Sequence, residues 1–363
     1  MMQKLSRTTI KAIDSSLWRR EEEGLRCLIC ARSCLLKEGS TGFCTAIVHE
    51  QGQLFSTAYG VVSEATVTPI ENRPVYHYRP GTHTLSLGGL GCNLRCGFCQ
   101  NWEVAFRDAR HGGGLPQPNL APERAVELAL EQRCEGLAWT FNEPTISPMY
   151  LLDCARQSHE AGLYTVLVTN GLMTHEVLDM IGPFIDVYRV DVKSMDQVFY
   201  QRVAHTSRIL DILPVARRAQ HEYGIHVETV TNLMPGLNDS DEHLKRLAQA
   251  ILTHLGENTP WHLSTYVPYA NMTHIAPTPP ATLDRARTIG IRTGLRFVYT
   301  DDISTPGTAN TICPTCGECV IERKAHQVRL LGLAQDGTCA RCHASLGMIL
   351  ATSFTSLQKE DLV

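Results

Sequence analysis

The sequence predicts an α/β fold: a partial (β/α)6 barrel of the TIM type, with a small cysteine-rich, metal-binding appendage at each end. Three observations predict it. Apolar, strand-like runs alternate with helix-period segments through the middle of the chain, the pattern of a parallel sheet with helices outside. Twelve of the fourteen cysteines fall into three tight groups, one before that stretch, one at its start and one after it. At 363 residues the chain has room for one large domain with appendages, divided as residues 1–80, 81–300 and 301–363.

In chain order, Met1 to Arg20 has neither an apolar core nor a small-residue cleavage site, so no secretory signal is expected. The first cysteine group, Cys27-x2-Cys30-x3-Cys34-x9-Cys44, lies in a glycine-punctuated stretch. Gln51-Gly52-Gln53 reads as a turn, with β-rich sequence from Leu54 to Val62. The segment Thr84-Leu-Ser-Leu-Gly-Gly-Leu-Gly-Cys92 carries a strand into the second group. Further strands are expected at Gly136 to Phe141, Tyr164 to Thr169, Ile185 to Val192, His226 to Val230 and Trp261 to Tyr266. Helices are expected at Glu123 to Glu131, Tyr150 to His159, Asp241 to Leu255 and Ala281 to Thr293. His111 to Pro118, rich in Gly and Pro, reads as a mobile loop beside the second group, and Asp301 to Asn310 as a linker. A polar tail begins at Ser353. Cys134 and Cys154 stand apart and are expected as buried small hydrophobes.

With 43% hydrophobic and 19% charged residues, the chain has the profile of a soluble globular protein. A formal net charge of −4 gives no basic surface for nucleic acid, and no apolar run is long enough to cross a bilayer. Neither nucleic acid nor membrane is an expected partner, and the expected location is cytoplasmic. In a reducing cytosol disulfides do not persist, so clustered cysteines point to metal or redox chemistry.

The second group, Cys92-x3-Cys96-x2-Cys99, offers three thiolates on one short loop. A cubane 4Fe–4S cluster has four irons, so three cysteines leave one iron open to a chelating small molecule. Zinc in a structural site takes a fourth protein ligand, and no cysteine follows Cys99 until Cys134. Because the loop directly follows a strand, the cluster would sit at the carboxyl-terminal mouth of the barrel, where such folds carry their chemistry.

The run Gly91-Cys-Asn-Leu-Arg-Cys-Gly-Phe-Cys99 resembles the signature of the radical S-adenosylmethionine (SAM) superfamily, down to the aromatic Phe98. The resemblance implies that the open iron chelates SAM and that reduction yields methionine and a 5′-deoxyadenosyl radical that abstracts hydrogen. Thr140-Phe-Asn-Glu-Pro-Thr145 resembles the second motif of pyruvate formate-lyase activating enzymes, which implies that Asn142 and Glu143 face the SAM ammonium. A plain helix start, capped by Asn142 with Pro144 in the first turn, fits the same residues. By the same resemblance Thr169 and Asn170, in Val168-Thr-Asn-Gly171, and Asp191 and Lys193 contact SAM or a nearby cation. Val168 departs from the Asp usual there, and Asp191 with Lys193 also reads as a salt bridge at the rim. His262 matches a SAM-contacting histidine, with an ordinary structural histidine as the alternative, and Met234 to Asp239 matches a segment near adenine.

The third group, Cys313-x2-Cys316-x22-Cys339-x2-Cys342, reads as a zinc ribbon, with an auxiliary iron–sulfur cluster as the alternative. Cys319 is left over, either free or a ligand in place of Cys316, and His343 stands where a knuckle prefers Gly. The four cysteines of the first group suit either zinc or a fully ligated second 4Fe–4S cluster. The whole layout is similar to the radical SAM enzymes of the AmmeMemoRadiSam system. The similarity rests on the first cysteine group, Pro69-Ile-Glu-Asn-Arg-Pro-Val-Tyr-His-Tyr78, Cys99-Gln-Asn-Trp102, Asn142-Glu143-Pro144 and the terminal ribbon. Thr68 before Pro69 and the Asp301-Asp302 pair depart from that pattern. The resemblance implies Memo-like and AMMECR1-like partner proteins and a low-potential electron donor of flavodoxin or ferredoxin type. The leading expectation is hydrogen abstraction from an unidentified substrate. The alternatives are an activase making a glycyl radical on a partner protein and a non-catalytic zinc scaffold.

Overall fold

Seven parallel strands laid side by side in chain order form the centre of the fold, and one antiparallel strand extends them. The computed structural model describes residues 10–108, 119–209, 211–301, 305–324 and 327–350. Strand β1 (Glu64–Pro69) pairs antiparallel with β2 (His83–Gly88). Then β3 (Gly136–Thr140), β4 (Tyr164–Thr169), β5 (Val187–Asp191), β6 (His226–Leu233), β7 (Trp261–Thr265) and β8 (Val298–Thr300) follow in parallel register. Among the described residues β1 and β8 do not pair, so the barrel is partial, as the sequence predicts. It has one parallel strand more than the predicted six, because β8 is only three residues long.

The strands read as apolar runs because both of their faces are covered; every residue of β3 is buried. The outer helices are α1 (Pro122–Glu131), α2 (Pro148–Glu160), α3 (His175–Ile181), α4 (Ile212–Glu222), α5 (Asp241–Leu255) and α6 (Pro280–Thr293). Proline opens α1, α2 and α6, where its missing N–H costs nothing. The Thr174 and Ser240 side chains cap α3 and α5 by accepting from Val177 and His243 N–H groups. Neither α3 nor α4 was visible as a pattern: α3 is seven residues, and Pro214 sits inside the first turn of α4. The predicted turn at Gln51-Gly52 joins Ile47–Glu50 to Gln53–Ser56, with both turn residues at positive φ. The β-rich reading beyond Ser56 is not realised as a strand.

Of the N-terminal cysteines, Cys27 ends the second strand of a small sheet of Trp18–Glu21, Gly24–Cys27 and Leu35–Leu36, Cys30 and Cys34 lie between its second and third strands, and Cys44 follows the third. The C-terminal cysteines flank a second sheet of Thr311–Ile312, Cys319–Lys324 and Gln327–Leu330. This second sheet does not hang on a free linker. Its core, with Val320, Ile321 and Leu346, includes Phe297 and Tyr299 from β8 and its approach, and Thr308 and Ala309 are buried. The predicted mobile loop 111–118, Asp302 and the tail from Ser353 lie outside the described residues. Cys134 and Cys154 are buried, as expected. Among the described residues no helix is long and apolar enough to cross a membrane.

Candidate functional site

After β2 the chain turns through Gly89, Leu90 and Gly91 into the second cysteine group. Gly91 has φ 84°, and a Cβ there would stand 2.4 Å from the Cys44 carbonyl oxygen, so no other residue fits. Asn142 clamps the turn: its Oδ1 accepts from Gly89 N–H and its Nδ2 donates to the Gly91 carbonyl, both at 2.9 Å. Asn142 therefore does not cap a helix; Glu143 does, accepting from Thr145 N–H at 3.2 Å.

Cys92, Cys96 and Cys99 line one open cavity of about 420 Å³ at the carboxyl ends of the parallel strands. Phe98, Asn142, Glu143, Thr169, Asn170, Asp191 and Lys193 line the same cavity. Burial pushes the three thiols up, Cys96 to about 11, so a cationic group is what would hold them as thiolates. Among the described residues no compact set of further Cys, His, Asp or Glu ligands surrounds them. The donor set fits a cluster with one iron left open to a small chelate.

Glu143 is almost fully buried, and burial raises its pKa. Four donors oppose that rise: Thr145 N–H, the Thr145 hydroxyl at 2.6 Å, the Thr169 hydroxyl at 2.8 Å and Asn170 N–H at 2.8 Å. Thr169 and Asn170 thus hold Glu143 in place from the end of the neighbouring strand. Asp191 accepts from Arg189 at 2.5 Å and from Lys193 at 3.1 Å. Burial alone would raise the Asp191 pKa, but these two cations outweigh it and lower it. The salt-bridge reading of Asp191 and Lys193 is therefore realised, inside the cavity and not apart from it. The Lys193 ammonium also stands 5.7 Å from the Phe98 ring centre.

His262 does not line the cavity. It sits near the start of β7, buried, with its Nε2 2.6 Å from Glu228 and its ring stacked on Tyr299. The expected contact with SAM is corrected accordingly: a residue at the beginning of a parallel strand lies at the end of the barrel away from the mouth. Glu228 on β6 gathers this floor, accepting from His226 Nε2 at 2.9 Å, Tyr76 N–H at 2.9 Å and His77 N–H at 2.7 Å. The segment Met234 to Asp239 lies outside the cavity lining, and Asn238 there donates to the Lys193 carbonyl.

Sequence reading missed Glu228, Arg189 and Arg73. For Glu228 and Arg189 the signal was a charge inside an apolar run, as in His226-Val-Glu-Thr-Val and Val187-Tyr-Arg-Val-Asp. Arg189 lines the cavity with an Nε that has no partner among the described residues. Arg73 lies over the Phe141 ring, its pKa lowered to about 10 by burial and by Arg189.

The C-terminal sulfurs of Cys313, Cys316, Cys339 and Cys342 all lie within 4.8 Å of one another, and this tetrad could hold a metal ion. Cys313–Cys342 and Cys316–Cys339 are each 3.6 Å apart. A tetrahedral zinc with the usual zinc–sulfur bond sets thiolates about 3.8 Å apart. Cys319 is outside the tetrad, its sulfur against the Ile321 carbonyl. His343 takes the left-handed backbone, φ 58°, that its knuckle position demands and glycine would adopt freely.

The family model of the radical SAM superfamily matches residues 87–250. A pyruvate formate-lyase-activating enzyme of Clostridium pasteurianum is 25% identical over 44% of this chain and 66% of its own length. An isethionate sulfite-lyase activating enzyme of Nitratidesulfovibrio vulgaris is 27% identical over 44% of this chain and 54% of its own. An uncharacterised protein of Methanocaldococcus jannaschii is 32% identical over 333 residues, 91% of this chain and 97% of that one. With the three-thiol loop at the mouth of the sheet and these matches along it, the chain belongs to the radical SAM superfamily.

Proposed function

We propose that this chain is the radical SAM enzyme of an AmmeMemoRadiSam system, acting by hydrogen abstraction on a substrate bound in the cavity at the carboxyl ends of β2–β8. The observation that carries this reading is the loop of Cys92, Cys96 and Cys99 facing that cavity, with no compact fourth ligand among the described residues. When bound there, a 4Fe–4S cluster and SAM supply, on one-electron reduction, methionine and the 5′-deoxyadenosyl radical.

The chain's own residues bind and orient. Asn142 fixes the entry to the cysteine loop, and Glu143, held by Thr169, Asn170 and Thr145, presents a carboxylate to an ammonium. Phe98 lies edge-on to Tyr266, their centres 6.4 Å apart, forming an apolar wall beside the cysteines. Arg189, Arg73 and Lys193 add cationic groups to the cavity lining, beside the carboxylates of Glu143 and Asp191. Memo-like and AMMECR1-like proteins are the proposed partners, a flavodoxin- or ferredoxin-type protein the proposed electron donor, and the cytoplasm the proposed location. Glycyl-radical formation on a partner protein is the second reading, favoured by the likeness to activating enzymes such as the two above.

Anaerobic protein given SAM and dithionite should release 5′-deoxyadenosine, and the Cys92→Ala/Cys96→Ala/Cys99→Ala variant should release none. Continued release by that variant, or a colourless wild type carrying only zinc, would overturn the reading. Glu143→Ala should weaken SAM binding roughly tenfold or more, since a hydrogen bond to an ammonium contributes about 1.5–3 kcal/mol. It should also lower stability, because it strands four buried donors. An unchanged SAM dissociation constant with the cluster intact would remove Glu143 from the binding site.

A further inference from the structure

The N-terminal cysteines have no part in the cavity, yet they lie against the loop that does. We infer that Cys27, Cys30, Cys34 and Cys44 hold a second 4Fe–4S cluster, ligated on all four irons, and not a zinc ion. The inference stands apart from the proposed reaction and rests on how these four sulfurs are spaced, presented and neighboured.

They are presented as metal ligands. Cys27 ends its strand and its N–H donates to the Cys34 carbonyl at 2.9 Å, which brings the two cysteines across from each other. Cys30 opens a turn closed by Ser33 N–H, and Cys44 lies in another closed from Thr45 to Gly42. The backbone N–H groups of Ile29 beside Cys27, of Arg32 beside Cys30, and of Ala46 and Ile47 beside Cys44 favour the thiolates there. Three of the four thiols are buried, and each of those feels the charge of its neighbours. Buried cysteines that merely fill space, such as Cys154, show no such convergence of backbone donors.

Their spacing separates one ion from a cubane. Four thiolates on one tetrahedral zinc stand about 3.8 Å apart, and the C-terminal tetrad comes within 4.8 Å throughout. Among the described residues no three of the N-terminal sulfurs meet that limit together, and neither do Cys92, Cys96 and Cys99. A cubane places its thiolates on separate irons and so needs this wider frame. The first and second cysteine groups thus both fall outside the single-ion spacing that the third meets.

Their surroundings carry the last observation. Asn93, fully buried next to Cys92, lies between the first two groups. Its Oδ1 accepts from Asn170 at 2.7 Å and stands 3.8 Å from the Cys92 sulfur. Its Nδ2 reaches no partner at hydrogen-bond distance, yet it lies close enough to Cys30 to favour the thiolate there. A buried amide N–H left over beside a thiol is what a cluster sulfur would accept from. Arg32 and Arg95 both stack on Phe43 between the groups, and each feels thiols of both groups. Two guanidinium groups there offset the negative charge of two thiolate-ligated clusters.

Iron, acid-labile sulfide and zinc are to be counted in the full chain after anaerobic reconstitution with iron and sulfide. The wild type should hold about eight irons, four for each cluster, with one zinc. The Cys92→Ala/Cys96→Ala/Cys99→Ala variant should keep about half of that iron and, once reduced, the EPR signal of a 4Fe–4S cluster. Adding Cys339→Ser and Cys342→Ser to that variant should remove zinc and no iron, whereas adding Cys30→Ser and Cys44→Ser should remove the iron. A triple variant that holds zinc and no iron, or whose iron leaves with Cys339 and Cys342, overturns the inference. If the wild type makes no 5′-deoxyadenosine while the triple variant still keeps its iron, the proposed reaction fails and the second cluster stands. If the Cys30→Ser/Cys44→Ser addition fails to fold, the metal content of the triple variant decides.

Discussion

Glu228→Ala should lower the thermal midpoint by roughly 5–15 °C, since breaking a buried charge network costs about 3–5 kcal/mol. Glu228 is fully buried and accepts from two histidine Nε2–H groups and two backbone N–H groups, all between 2.6 and 2.9 Å. A carboxylate is acceptor-only, so both imidazoles donate to it. Removing it strands four donors at once. Glu228→Gln should fall between, because the amide keeps one acceptor oxygen and adds a donor where only donors already stand. A midpoint that stays within a degree of wild type for both variants would show that the floor contributes nothing.

The same network sets an acid limit. Burial would raise the Glu228 pKa, but the donated hydrogen bonds of His226 and His262 outweigh it and hold it well below the ordinary 4.5. Burial also lowers His262 from 6.5 and takes His77 down to about 3. In each case the unfolded chain binds the proton first. Stability from these groups is complete above pH 6.5, declines as pH falls below it through the histidines, and declines further below 4.5 through Glu228. Chemical denaturation from pH 7.5 to 5 should show this slope, and His77→Phe should flatten it.

Cys339→Ala/Cys342→Ala should lose one zinc per chain and destabilise more than its own segment. Metal binding supplies folding energy to a ribbon with little core. Here that core is shared with Phe297 and Tyr299, and Arg323 donates to the Tyr76 carbonyl at 2.7 Å. Residues beyond Asn310 should become protease-sensitive and the thermal midpoint of the whole chain should drop. SAM cleavage without substrate should persist at low temperature, because the cavity lies at the other end of the strands. A loss of iron in place of zinc would make the tetrad a cluster site.

What the sequence disclosed follows what it encodes locally. The Cys92–Cys99 loop, the two flanking cysteine groups and the strands from Gly136 to Thr265 were legible, because ligand spacing and doubly covered strands both leave marks within ten residues. The floor was not. His262 looks like a cavity residue while its strand is read alone, and its partner Glu228 lies 34 residues away on the next strand. Asn142 likewise looks like a helix cap until its amide is seen holding Gly89 and Gly91, more than 50 residues earlier. The stretch after Asp301 reads as a linker because Thr, Ser, Pro and Gly are loop formers. Only the packing shows Thr308 and Ala309 enclosed.

The seat of the ribbon has a consequence for synthesis on the ribosome. His77 is held by the Leu346 carbonyl, 269 residues later, and Tyr76 by Arg323, 247 residues later. The floor of the barrel therefore waits, open, until Arg323 and Leu346 have been made. At a usual elongation speed that wait lasts on the order of tens of seconds. During it Phe297 and Tyr299, once made, stand uncovered, and Glu228 lacks the support that the ribbon gives Tyr76 and His77. A nascent chain stalled before Cys339 would carry an exposed apolar floor.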